Sequence, residues 1–139
     1  MNESMIMKQV MTFAVSAAIL LSVPLSSASA ARNGFQTVAV NSNMFEVIPR
    51  ARQDVDGYWC AAADFARRTL GAGWQQRIYV VRGYGPSEAT GRRTAVQFSL
   101  QQPTNVAQQS SSISVGFKAG ESMSVQGANG RCNIRPFRD

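Results

Sequence analysis

The chain has 139 residues, with 14 Lys or Arg, 8 Asp or Glu and no His, so its net charge is +6 at pH 7. The absence of imidazole excludes histidine-based general base catalysis, a histidine-activated cysteine nucleophile and histidine-ligated zinc sites. Nearly all of the basic residues are arginines. Because guanidinium groups pair with carboxylates and phosphates, this composition favours acidic partners, although scattered surface charge also serves solubility.

The first 30 residues have the parts of a secretory signal peptide. Lys8 precedes a weakly polar to apolar run over residues 10–23, and the following stretch ends in Ala28, Ser29 and Ala30. The run is shorter than the ~20 residues that a membrane-spanning helix needs. We therefore expect a cleavable signal and an exported, periplasmic or secreted protein. Cleavage after Ala30 fits the small-residue pattern best, and cleavage after Ala28 is the alternative.

Residues 31–139 are predicted to form a single α+β domain with one main helix on an antiparallel sheet of four to five strands. Alternating or β-branched runs predict strands at 45–48, 77–82 and 94–100, with further short runs at 35–40, 113–117 and 123–125. The polar stretch 101–112 has no periodicity and is predicted to be a long connection, and turns are expected at 119–121 and 127–130.

The main helix is predicted over about 56–70. Asp54 or Asp56 can cap its first turn, arginines occupy its last turn, and Gly71 follows it. At 100° per residue the large apolar side chains share one broad face, which places these residues toward the sheet: Tyr58, Trp59, Ala62, Phe65, Ala66, Thr69 and Leu70. Cys60 falls on the opposite face.

Cys60 and Cys132 are the only cysteines. An even count in an exported protein predicts a disulfide, which would place the C-terminal segment across the outer face or the N-terminal end of the helix. The alternatives are a reactive thiolate at the helix N-terminus and a buried free thiol. A thiolate nucleophile lacks an imidazole partner in this chain, so the structural bridge is favoured.

The stretch 83–94 is the most distinctive loop. It differs from a phosphate-binding loop because five residues separate Gly85 from Gly91 and a strand follows where a helix is required. One interpretation is an ordinary glycine-rich hairpin. The other is a recognition loop that uses Arg82, Arg92 and Arg93 to bind an anion and Tyr84 as a stacking face.

Other candidate residues have simpler structural explanations. Asp64 and Glu88 could form an acid and base pair, but Asp64 can instead pair with Arg68 one helical turn away. Trp59 and Trp74 could line a sugar platform, or they could pack the helix and its exit turn. The alternation of Arg and Tyr in RIYVVRGYG (77–85) is ordinary strand patterning, so nucleic acid binding is not expected. We predict no catalytic residues, no metal site and no cofactor.

The segments YWCAAADFARR (58–68) and GPSEATGRRTAVQFSL (85–100) resemble small exported proteins of alphaproteobacteria that have no assigned activity. The resemblance implies secretion and supplies no catalytic or binding residues.

Together these observations predict a non-catalytic exported domain that binds an anionic envelope component, either an acidic polymer or an acidic protein, through the arginine-bearing hairpin. The alternative function is a secreted hydrolase inhibitor acting through residues 84–93. A hydrolase that uses Asp64 or Glu88 ranks last.

Overall fold

A computed structural model describes residues 28–50, 53–104 and 116–133. The elements, in chain order, are β1 (Ser29–Ala30), β2 (Gln36–Ala39), β3 (Phe45–Ile48), α1 (Val55–Arg68), β4 (Arg77–Gly85), β5 (Ala95–Ser99), β6 (Ser122–Ser124), α2 (Val125–Gly130) and a 3-10 helix (Arg131–Asn133). The predicted signal peptide lies outside the described residues up to position 27. The predicted strand at 113–117 also lies outside them, except for Gly116 and Phe117, and neither of those two residues is in a strand.

The strands form one six-stranded sheet in the order β1-β2-β3-β5-β4-β6, and every neighbouring pair is antiparallel. The α+β class is therefore confirmed. The predicted number of strands, four to five, was slightly low. The short run predicted at 123–125 overlaps the edge strand β6, whereas the other edge strand, β1, has only 2 residues and lies in the stretch assigned to the signal peptide. A strand as short as β1 has no room for the alternation on which a sequence-based prediction depends.

Helix α1 begins with the predicted cap. The Asp54 carboxylate accepts a hydrogen bond from the Gly57 amide at 3.0 Å, and Arg67 and Arg68 lie in the last turn. The helix ends at Arg68, earlier than predicted, and Gly71 follows with φ of 67°. The expected inward positions of Thr69 and Leu70 are therefore wrong, because both lie beyond the helix and are exposed, Leu70 by 43%.

The core lies between α1 and one face of the sheet, and it is rich in aromatic residues. Trp59 of α1 contacts Phe98 of β5, and Phe65 packs on Phe45 of β3, with ring centroids 5.2 and 4.5 Å apart. Strand β5 is buried along its whole length. A second, smaller apolar cluster contains Val38, Ile48 and Ala95. Both clusters contain residues of β3 and β5, so apolar side chains pack on both faces of these two strands.

The C-terminal part packs on the helix. The turn predicted at 127–130 is wrong, because these residues belong to α2, which is capped by Ser124 at 3.0 Å from the Gly127 amide. The buried Val125 and Ala128 lie three residues apart and join the core, which favours a helix despite the glycines. Val125, which was predicted to end a strand, is instead the first residue of α2.

The disulfide prediction is confirmed. Cys60 of α1 and Cys132 of the 3-10 helix are bonded, with their Cα atoms 4.8 Å apart. Beside the bridge, Arg131 donates to the Asp56 carboxylate at 2.6 Å. The C-terminal segment therefore lies against the N-terminal half of α1, as the position of Cys60 predicted.

Gly57 provides a test of how closely the first helical turn packs. A Cβ at this position would lie 2.7 Å from the Phe35 ring and 2.8 Å from the Asp54 cap. We expect Gly57→Ala to lower the free energy of unfolding by about 1–3 kcal/mol, measured by urea denaturation. Gly73→Ala is the control, because its Cβ meets nothing within 4 Å. A more stable Gly57→Ala protein, as helix propensity alone would give, would contradict the prediction.

Candidate anion-binding site

Three arginines line one surface cavity of about 280 Å³. Arg50 follows β3, whereas Arg92 and Arg93 belong to the connection between β4 and β5. The cavity is completed by the uncharged residues Ile48, Pro49, Gln53 and Thr94. The sequence predicted that Arg92 and Arg93 would act together, and it did not predict the contribution of Arg50.

The charges of these three arginines are not neutralised within the described part of the chain. The ion pairs found there are Arg68 with Asp64, Arg82 with Glu46, and Arg131 with Asp56. No carboxylate lines the cavity, and the three arginines are exposed. A concave surface with one sign of charge attracts ions of the opposite sign.

The structure places two of the other predicted site residues outside this cavity. Arg82 donates to the Pro86 carbonyl at 2.8 Å and lies 3.9 Å from the Glu46 carboxylate, so its charge is paired with Glu46. Tyr84 packs edge-on against Tyr58 and Phe117, with ring centroids 5.5 and 5.3 Å away. Burial raises the pKa of Tyr84. Its half-buried ring belongs to the edge of the core.

Glu46 is the main residue that sequence reasoning missed. It lies in β3 with 0% of its surface exposed. Its carboxylate accepts hydrogen bonds from the Ser87 hydroxyl at 2.7 Å and the Gln97 amide at 3.1 Å. The backbone amides of Glu88 and Ala89 also donate to it, at 3.0 and 3.1 Å. Burial alone would raise the pKa of Glu46, but these four hydrogen bonds outweigh burial and lower it below its usual value of 4.5.

The loop that carries Arg92 and Arg93 is held at both ends. The Ser87 amide donates to the Arg92 carbonyl at 2.7 Å, and the Tyr58 hydroxyl donates to the Thr94 carbonyl at 2.6 Å. Thr94 has φ of 66°, which is rare for a β-branched residue and costs energy. The fold maintains this strained backbone next to the arginine cavity.

The carboxylate and tryptophan candidates do not form sites. Asp64 pairs with Arg68 at 3.5 Å, which confirms the expected helical pair, whereas Glu88 is exposed on the loop. Trp59 is buried in the core, and Trp74 is 43% exposed, with the Arg67 guanidinium 3.8 Å from its ring. The two tryptophans therefore lie in different environments.

Two further cavities, of about 290 and 440 Å³, flank the turn between β2 and β3, and no charged side chain lines either of them. In residues 28–50, 53–104 and 116–133, no group of three or more Cys, Asp or Glu side chains is placed to hold a metal ion. None of the helices in these ranges is long and apolar enough to cross a membrane. The positive charge of its lining distinguishes the arginine cavity from these two cavities.

Comparison of the chain with protein-family models, curated proteins and solved structures finds no match. The resemblance to exported alphaproteobacterial proteins therefore remains an expectation from the sequence.

Proposed function

We propose that this protein is a non-catalytic exported domain that binds an anionic polymer of the cell envelope through Arg50, Arg92 and Arg93. The observation that carries the proposal is the convergence of three exposed arginines on a cavity without a carboxylate. The disulfide is consistent with export, because such bonds persist in oxidising compartments. The signal peptide prediction points to the same location.

The chemistry of arginine favours a ligand with oxyanion groups. Each guanidinium presents a planar fork of N–H donors that matches a carboxylate or a phosphate. A single exposed ion pair contributes only about 0–1 kcal/mol. A polymer with repeated acidic groups can contact several arginines at once, and linked contacts give a higher affinity than any one of them.

The proposal predicts that binding to a polyanion depends on the loop arginines. We expect the double variant Arg92→Ala with Arg93→Ala to bind heparin, a sulfated probe polymer, about tenfold more weakly than wild type. Added salt should weaken the binding of wild type, because exposed charges are screened. The measurement is a titration at several salt concentrations, repeated with isolated cell-wall material.

The matched control is Arg68→Ala with Lys118→Ala, which removes the same charge from two exposed residues outside the cavity. If the affinity depended on net charge alone, both double variants would weaken binding equally. Equal weakening, or full binding by the loop variant, would refute the assignment of the site to the loop. Arg50→Ala should also weaken binding, although this residue is distant in sequence.

The anchoring of the loop also favours a second candidate, a secreted hydrolase inhibitor acting through residues 84–93. An inhibitory loop binds tightly when it is rigid before binding. The hydrogen bond that Tyr58 donates to the Thr94 carbonyl and the one that Glu46 accepts from Ser87 supply this rigidity. This candidate predicts a stoichiometric complex with an enzyme from culture fluid. Recovery of no enzyme by the immobilised protein would count against it.

A further inference from the structure

We propose that Glu46 is a positioning residue for the arginine site, because its buried carboxylate holds the loop so that Arg92 and Arg93 line the same cavity as Arg50. This inference rests on the proposed anion-binding function and extends it to a residue that does not touch the ligand. The proposal assigns the binding geometry to a hydrogen-bond network inside the sheet.

Glu46 places a carboxylate at a buried position of β3. A buried charge is unfavourable unless it is paired and fully hydrogen-bonded. Phe45 and Val47, the strand neighbours of Glu46, are apolar and buried, and an apolar residue would bring no charge to be compensated. The distinctive contribution of Glu46 is therefore the set of hydrogen bonds that it accepts.

Most of these hydrogen bonds come from the loop between β4 and β5. Three of the four donors belong to the loop: the Ser87 hydroxyl and the amides of Glu88 and Ala89. Consecutive amides that point at one anion form a nest, a common anion-binding arrangement of the backbone. Here the bound anion is a side chain of the same protein. The Arg82 guanidinium bonds to the Pro86 carbonyl at 2.8 Å and holds the same end of the loop.

Ser87 links this nest to the loop arginines. Ser87 both donates to Glu46 and, through its own amide, holds the Arg92 carbonyl at 2.7 Å. Its carbonyl accepts from the Gly91 amide at 2.9 Å, and its hydroxyl accepts from the Thr90 amide at 2.9 Å. The backbone of Arg92 is therefore one residue, Ser87, away from the buried carboxylate.

The test is Glu46→Gln, which keeps the size of the side chain and removes its charge. Gln keeps one acceptor oxygen but replaces the other with an NH2 group that faces hydrogen-bond donors, so the loop loses part of its anchor together with the charge. We expect heparin affinity to fall about tenfold, as in the double arginine variant. Electrostatics alone predicts the opposite, because the substitution makes the protein more positive and should strengthen polyanion binding. The sign of the change therefore distinguishes positioning from simple charge.

Glu88→Gln is the matched control, because it makes the same change of charge on an exposed neighbour and leaves the Glu88 amide bonded to Glu46. This variant should bind as tightly as wild type or more tightly. Ser87→Ala provides a second test if Glu46→Gln does not fold, since it removes the hydroxyl that donates to Glu46 and accepts from the Thr90 amide, and leaves the bond from Gln97 to Glu46 in place. Circular dichroism and thermal melting establish which variants are folded.

The outcomes separate the two proposals. If wild type does not bind a polyanion, the proposed function fails. If wild type binds and folded Glu46→Gln binds equally or more tightly, the positioning role fails while the proposed function stands. Unchanged affinity in Ser87→Ala would likewise overturn the positioning role. Weaker binding in both variants, with Glu88→Gln unaffected, would support it.

Discussion

Removal of the Cys60–Cys132 disulfide should lower the free energy of unfolding by about 4 kcal/mol. The bonded residues are 72 positions apart, and a crosslink of this span removes much of the conformational entropy of the unfolded chain. Domains of this size are typically stable by about 5–15 kcal/mol, so the loss is a large fraction of the total. The measurement is urea denaturation of Cys60→Ala with Cys132→Ala against wild type.

Alanine is the appropriate replacement because Cys60 is only 2% exposed. A serine at this position would bury a hydroxyl group, which is unfavourable without a hydrogen-bond partner. A reducing agent should destabilise wild type and leave the double variant unchanged, which controls for other effects of the reagent. A loss well below 1 kcal/mol in the double variant would contradict the prediction. It would mean that the packing of α2 alone holds the C-terminal segment on α1.

The second large effect is expected at Phe117. Its ring is fully buried and meets four other aromatic rings, those of Tyr58, Trp59, Tyr84 and Phe98, at centroid distances of 5.2, 6.0, 5.3 and 6.0 Å. Phe117→Ala leaves a cavity among them and should lower the free energy of unfolding by about 3–5 kcal/mol. Chemical denaturation followed by tryptophan fluorescence measures the loss, since Trp59 is one of the neighbours.

Phe117→Leu is the control, because leucine restores much of the volume and should cost clearly less. Equal costs for the two variants would indicate that the aromatic contacts, and not the filled volume, stabilise this region. The substitution also bears on the site, because Tyr58 packs on Phe117 and holds the Thr94 carbonyl at 2.6 Å. We therefore expect Phe117→Ala to weaken heparin binding as well.

The central part of the fold could be predicted from local sequence patterns. The cap at Asp54, the terminal arginines and Gly71 defined α1 to within two residues, and β-branched alternation located β3, β4 and β5. Helix α2 could not be predicted in this way, because glycines at 127 and 130 favour a turn. Its stability comes from contacts with α1 and from the disulfide, which join residues far apart in sequence.

The candidate site likewise combines residues that the local sequence pattern could identify with residues that only the tertiary fold brings to the site. Arg92 and Arg93 stood out within a glycine-rich loop, but Arg50 lies about 40 residues earlier and reaches them only because β3 pairs with β5. The role of Glu46 depends on the same pairing, which places it opposite Gln97. An alternating strand can show that Glu46 lies opposite the face of Phe45 and Val47. It cannot show that a loop covers this face.

Strand β1 lies at the end of the predicted signal peptide. Ser29 and Ala30 pair with Thr37 and Gln36 of β2, and they lie between the two bonds at which the signal peptide is expected to be cut. Cleavage after Ala28 keeps this short strand, whereas cleavage after Ala30 removes it and leaves the outer backbone of Gln36 and Thr37 open to pairing with another extended chain. If the predicted signal peptide is removed, a shift of two residues in the cleavage site therefore determines whether this edge of the sheet is covered by β1 or exposed, and mass measurement of the mature protein distinguishes the two forms.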